Sequence, residues 1–156
     1  MKKSILTLLL TLIIIVGSAE ALQTTFVCPS TDLKNEIKPL LKPEYKYDSS
    51  KITRIKIKGQ EGKITEVEVP LFIGEKYKFI FNTTELQENV VISVYNKKLG
   101  KSKRELLYSN KDEMDGKKKT FEWEPTKSRT MYINYEVPKD AGISSGCVVF
   151  LLGYRI

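Results

Sequence analysis

The chain has 156 residues, with 26 lysines and arginines against 19 acids, two cysteines and no histidine, for a net charge of +7. The missing histidine excludes Ser-His-Asp and Cys-His nucleophile systems, histidine-ligated zinc and the commonest general base; two cysteines are too few for a four-thiolate zinc site. Such an excess of positive charge attracts anionic partners over long range, although the bases are interspersed with acids rather than gathered into blocks.

In chain order, Met1-Lys2-Lys3 is a positive start, followed over residues 5–16 by an apolar run broken only by Thr7 and Thr11. The run is shorter than the about 20 apolar residues needed to cross a bilayer. Ala19-Glu20-Ala21 then supplies small side chains at both positions of a peptidase site. The pattern predicts a cleavable secretory signal peptide over residues 1–21, hence an exported product, periplasmic or extracellular, with no membrane span after cleavage.

Residues 22–50 read as an extended lead-in and one short helix. Ser30 and Thr31 offer N-caps, and Leu33, Ile37, Leu40 and Leu41 fall near helical spacing, which predicts a helix over residues 32–41. Pro39 should end or kink it, and Pro43 closes it.

Residues 51–156 read as one β domain. Ile55 and Ile57 alternate with Arg54, Lys56 and Lys58; Val67, Val69 and Leu71 with Glu66, Glu68 and Pro70; Tyr77, Phe79 and Phe81 with Lys76, Lys78 and Ile80. Period two with one apolar face belongs to antiparallel sheets. Further strands are predicted over 90–96, 104–109, 120–124, 131–137 and 147–154, with turns at 59–62, 73–75, 82–89, 99–100 and 115–116. The last strand is apolar on both faces, Val148, Phe150 and Leu152 against Val149 and Leu151, and so belongs inside a sheet rather than at its edge. The fold class is all-β: an antiparallel, jelly-roll-like β-sandwich of about eight strands with one short N-terminal helix.

Cys28 and Cys147 form a candidate disulfide in an oxidising compartment; two buried thiols are the alternative. No residues present themselves as a cofactor or metal site. The acidic turn 110–116 lacks the EF-hand spacing, because Met114 stands where a third acid belongs, and reads as a hairpin turn. Glu122 and Glu124 share one face of a strand at a spacing open to glycoside hydrolysis, but the alternation more simply makes Phe121 and Trp123 core and the glutamates solvated. Asn82-Thr83-Thr84 fits the N-glycosylation pattern without showing its use.

The candidate ligand-binding residues are basic and aromatic. Lys97, Lys98, Lys101, Lys103 and Arg104 form the densest basic segment, at a hairpin tip, either able to meet phosphates or acidic sugars or simply solvated and guarding the sheet edge from aggregation. No aromatic is interleaved there to stack on bases, so no nucleic-acid partner is expected. Tyr45 and Tyr47 are either a sugar-stacking platform or the closure of one end of the sandwich.

Four stretches carry a family resemblance: Leu71-Phe72-Ile73-Gly74-Glu75-Lys76-Tyr77-Lys78-Phe79, Val90-Val91-Ile92-Ser93-Val94-Tyr95, Phe121-Glu122-Trp123-Glu124-Pro125 and Met131-Tyr132-Ile133-Asn134-Tyr135. In order and content they resemble bacterial pre-peptidase C-terminal-type β-sandwich modules, where a G-x-x-Y/V-x-F strand, a V-x-V-Y/L-D strand and an F-x-P…G-x-Y-Y-I pair recur. Asn96 stands where those modules carry an acid, and no glycine precedes Tyr132. The resemblance covers residues 52–137 and implies a non-catalytic module. The expected function is therefore non-enzymatic: binding an anionic envelope glycan or lipid, or a protein partner. A carboxylate-dependent glycan hydrolase and a secreted inhibitor or accessory subunit are the alternatives.

Overall fold

Among the described residues, period-two alternation builds eight strands: β1 (Tyr45–Lys56), β2 (Ile64–Val69), β3 (Tyr77–Asn82), β4 (Val91–Tyr95), β5 (Leu106–Ser109), β6 (Thr120–Trp123), β7 (Met131–Glu136) and β8 (Ser145–Arg155). The structure is a computed structural model that describes residues 26–56, 62–86, 90–137 and 145–155. The predicted signal peptide lies outside these residues, as do Ile57, Lys58 and parts of the turns predicted at 59–62 and 82–89. Among the described residues no helix is long and apolar enough to cross a membrane.

The strands form two four-stranded sheets, ordered β1-β8-β3-β6 and β2-β7-β4-β5. All pairings are antiparallel, and β1 meets β8, β2 meets β7, β3 meets β6 and β4 meets β5. The chain therefore behaves as one long hairpin wrapped into a sandwich, the jelly-roll arrangement, and the β4–β5 loop is the tip of that hairpin.

Between the sheets lie Val67 and Val69 of β2, Phe79 and Phe81 of β3, Ile92 and Val94 of β4, Ile133 and Tyr135 of β7, and Val148, Phe150 and Leu152 of β8. Phe79 packs edge-on to Phe150 at 5.1 Å and to Trp123 at 5.4 Å, and Tyr108 stacks on Trp123 at 5.5 Å. Each buried large apolar side chain contributes about 1.5–3 kcal/mol, so this layer supplies most of the driving force.

The other face of β8 is also apolar, and a helix covers it. Leu33, Ile37 and Leu41 pack on Ile80 of β3 and on Cys147, Val149 and Leu151 of β8. The helix comes in two parts, an α-helix α1 (Ser30–Ile37) and a 3₁₀ turn (Lys38–Leu41). Pro39 explains the change, because it has no N–H to extend the α ladder after Lys38 bonds to the Lys34 carbonyl. The N-cap is Pro29, with no side-chain cap bond, rather than Ser30 or Thr31.

Three further details differ from the sequence reading. β1 begins at Tyr45 rather than near residue 51, and a bulge between Tyr47 and Ser49 breaks its alternation. β5 begins at Leu106, because Arg104 and Glu105 belong to the preceding loop. The acidic turn before β6 is a crossover and no hairpin, since β5 and β6 lie in different sheets. Its shape comes from Asp115, whose carboxylate accepts the Lys117 and Lys118 amides, and from Gly116 at φ 81°. Those backbone bonds hold the Asp115 carboxyl below its ordinary pKa.

Cys28 and Cys147 are joined in a disulfide across a sequence separation of 119. It ties the segment leading into α1 to the outer face of β8. Removing it as Cys28→Ala/Cys147→Ala should lower stability by about 4–5 kcal/mol in the chain-entropy model. Urea unfolding of the oxidised chain and the double variant measures this. A change under about 1 kcal/mol would mean that α1 docks as firmly without the bond.

Gly146 approaches the chain beside it so closely that a Cβ there would stand 2.6 Å from the Glu85 carbonyl oxygen. Backbone cannot swing aside as a side chain can. Gly146→Ala should therefore cost about 1–3 kcal/mol, read as a lowered denaturation midpoint at an unchanged m-value.

Candidate functional site

The basic loop spans residues 96–105, and its neck is closed three times over. The Asn96 amide donates to the Glu105 carboxylate at 2.9 Å, the Glu105 N–H to the Asn96 side-chain oxygen at 2.8 Å, and the Asn96 N–H to the Glu105 carbonyl at 3.2 Å. Beyond the neck, the Lys101 N–H bonds the Lys98 carbonyl across a tight turn in which Gly100 supplies φ 82°. Lys103 also adopts a left-handed φ of 54°.

The loop does not stand out into solvent; it folds back over the outer face of the β2-β7-β4-β5 sheet. Glu66 of β2 accepts the Leu99 N–H on both carboxylate oxygens, at 3.1 and 3.0 Å. Arg104 reaches into the same place. Its guanidinium donates to Glu66 at 3.0 Å and to Asn134 of β7 at 3.0 Å, its Nε donates to the Lys97 carbonyl at 2.9 Å, and its Cζ lies over the Tyr95 ring, 3.3 Å from the centroid. A planar fork meets four partners that an ammonium could not serve together. Both charged side chains are only 14% exposed, so this pair is screened far less than a surface pair.

The five basic residues thus divide. Arg104 is an internal clamp. Lys97 is half-buried, its ammonium donating to the Ser102 carbonyl at 3.0 Å. Lys98, Lys101 and Lys103 are exposed and make no ion pair among the described residues.

Tyr45 and Tyr47 also divide. Tyr45 is buried under the helix with Leu41 and Leu151. Burial, with the hydrogen-bonded carboxylate of Glu124, pushes its hydroxyl up to about 12. Tyr47 is 37% exposed and its hydroxyl meets that of Ser50 at 3.0 Å. The two rings do not make one open platform.

Phe121 is core and Trp123 is packed against it, while Glu122 and Glu124 are exposed. Glu122 pairs with Lys78 at 2.7 Å. Glu124 instead lines a cleft of about 700 Å³ with Tyr45, Tyr77 and Arg155, a cleft whose lining does not include Glu122. The two carboxylates are not brought to one cleft.

In the acidic turn, Asn110 is fully buried, accepting the Ile92 N–H at 2.8 Å and donating to the Val90 carbonyl. Glu113 accepts from Tyr108 at 2.8 Å and pairs with Lys118. Burial raises the Glu113 pKa, but Lys118 and Tyr108 outweigh it, and the carboxyl lies below its ordinary value. These oxygens fasten the turn. Asn82 is fully buried, with its side-chain oxygen accepting the Thr84 N–H, and does not present itself for glycosylation.

Alternation alone does not reveal one exposed feature, at the turn predicted over 73–75. Phe72 is 79% and Ile73 90% exposed, at the tip of the β2–β3 turn. The signal was available: Pro70 and Gly74 bracket the pair and take it out of the alternating strand.

No protein-family model matches the chain, and no curated protein is significantly similar to it.

Arg104→Ala should cost about 2 kcal/mol, because it leaves Glu66 partly buried without its partner. It should also speed amide exchange at Leu99 at least about tenfold, while Lys101→Ala changes neither. Native-state hydrogen exchange distinguishes them. Equal protection at Leu99 in both variants would show that the loop holds its shape without the clamp.

Proposed function

We propose that this chain is an exported, non-catalytic jelly-roll module that binds an anionic polymer or headgroup of the cell envelope through the β4–β5 loop. The observation that carries the reading is the division of labour in that loop. Glu66 and Arg104 fix the backbone, and Lys98, Lys101 and Lys103 are left exposed upon it. Lysines on a fixed loop meet a repeating array of phosphates or carboxylates without first having to order the backbone. Arg104 and Glu66 act here as positioning residues.

Export is supported by the signal-peptide pattern of residues 1–21 and by the disulfide, which persists in oxidising compartments. The positive charge of the whole chain adds long-range attraction to the same partners. The resemblance to pre-peptidase C-terminal modules, which are non-catalytic, belongs with this proposal.

Co-sedimentation with the host's envelope fraction tests the proposal, at about 0.05 M and about 0.5 M salt. The chain should bind at low salt and wash off at high salt. Each surface lysine facing an anionic layer is worth about 1 kcal/mol. A Lys98→Ser/Lys101→Ser/Lys103→Ser variant should therefore bind about a hundredfold more weakly, while Lys51→Ser/Lys56→Ser on β1 binds almost as well. No binding at either salt, or equal losses in both variants, would sink the loop as the contact.

A further inference from the structure

The Phe72–Ile73 tip is a second surface, independent of the basic loop. Two adjacent large apolar side chains this exposed are uncommon on a soluble surface, where single ones need no explanation. The tip is also held in place. The Glu75 N–H bonds the Phe72 carbonyl at 3.4 Å across the turn, and Gly74 supplies φ 94°. The Phe72 N–H donates to the Tyr77 hydroxyl at 3.2 Å, and the Ser128 hydroxyl donates to the Glu75 carbonyl from the neighbouring β6–β7 loop. The apolar pair therefore stands as a preformed knob.

The knob stands between two hollows. Ile73 lines the cleft of about 700 Å³, and Phe72 and Ile73 together line another of about 470 Å³ with Tyr77 and Tyr154. The charged side chains lining the two hollows are the acids Asp48, Glu75 and Glu124 and the bases Lys76, Lys127 and Arg155. Three acids meet three bases, on a chain whose net charge is +7.

We infer that the patch around the β2–β3 turn is a self-association surface, in which the Phe72–Ile73 knob of one copy seats in a hollow of a second copy. A two-fold contact between identical chains needs one patch to be complementary to itself. Here a single patch carries both knob and hollow, and both signs of charge in balance. Two copies of so basic a chain repel over long range, whereas within this patch the bases of one copy meet the carboxylates of the other. An anionic membrane fits less well, because Asp48 and Glu75 stand beside the tip. The contact is small. An aromatic side chain buries about 150–250 Å², against a total of about 1,200–2,000 Å² in a standard interface. The association is therefore weak and concentration-dependent. Paired modules would present two basic loops to one polymer, which raises avidity without a new contact.

The test is sedimentation velocity on the oxidised chain, with no ligand present, from about 1 µM to about 1 mM. This readout is separate from envelope binding, so either idea can fail alone. The expected result is a monomer–dimer equilibrium. Phe72→Ser and Ile73→Asp should each weaken it by at least about tenfold, and Leu106→Asp, at another exposed apolar residue (55%) that lines neither hollow, should leave it unchanged. Both tip residues are solvated, so the variants should melt like the parent chain, which checks that they fold. A monomer throughout the range overturns the inference. So does a dimer indifferent to both tip variants. A monomeric chain that floats with phosphatidylcholine–phosphatidylglycerol vesicles and loses this in Ile73→Asp assigns the tip to a membrane instead, and overturns it too.

Discussion

The structure depends on β8 being buried on both faces. Its pleat sends Val148, Phe150 and Leu152 between the sheets, and Cys147, Val149 and Leu151 to the outside. A jelly roll needs only the inner row. The outer row, with Ile80 beside it, would expose a stripe worth about 1.5–3 kcal/mol per residue if nothing covered it. The helix segment around α1 exists to cover that stripe, and its apolar residues Leu33, Ile37 and Leu41 meet it. The disulfide then fixes the same segment to Cys147 of the same strand. Helix, covalent bond and sheet are three responses to one strand's composition.

Nearly all of the pairing is long-range. β1 and β8 lie side by side although most of the chain separates them in sequence, and the disulfide closes almost the same loop. Such a topology orders slowly, because much of the chain must be arranged before its outermost pairing forms. The constraint relaxes with distance from β8. The β4–β5 loop at the hairpin's midpoint contributes nothing to either core cluster. Its backbone is fixed by polar groups, Glu66, Asn96, Glu105 and Arg104, which leaves Lys98, Lys101 and Lys103 in solvent.

Much of the fold was legible because it follows from local patterning. Eight strands and the internal position of β8 follow from alternation, whereas an even cysteine count made Cys28–Cys147 only a candidate bond, which the contact of the lead-in with β8 decides. What escaped depends on contacts between elements. The start of β1 was hidden because Tyr47–Ser49 carries a bulge and an exposed outer row, so period two fails there. Arg104 sat in a run of lysines and read as one of them; only the arrival of Glu66, Asn134 and Tyr95 from three strands makes it a clamp. The acidic turn read as a hairpin because sequence shows a turn but not which sheet follows it. Tyr45 and Tyr47 looked equivalent at spacing two, yet the helix ends over one and not the other.

The basic residues themselves explain why charge density alone was a poor guide to the candidate site. Arginine and lysine carry the same charge, but the guanidinium gives up less hydration and offers a fork of donors. Where a cation had to sit 14% exposed between a carboxylate, an amide and an aromatic face, the chain uses Arg104. Where the charge stays in water, it uses Lys98, Lys101 and Lys103. Lys78 of β3 sits between these cases, reaching Glu122 and the Leu40 carbonyl. The useful distinction in a basic segment is therefore between cations that the fold has already neutralised and cations left to solvent. At the β4–β5 loop one carboxylate of β2, Glu66, draws that line: it neutralises Arg104 and holds Leu99, while the three lysines stay exposed.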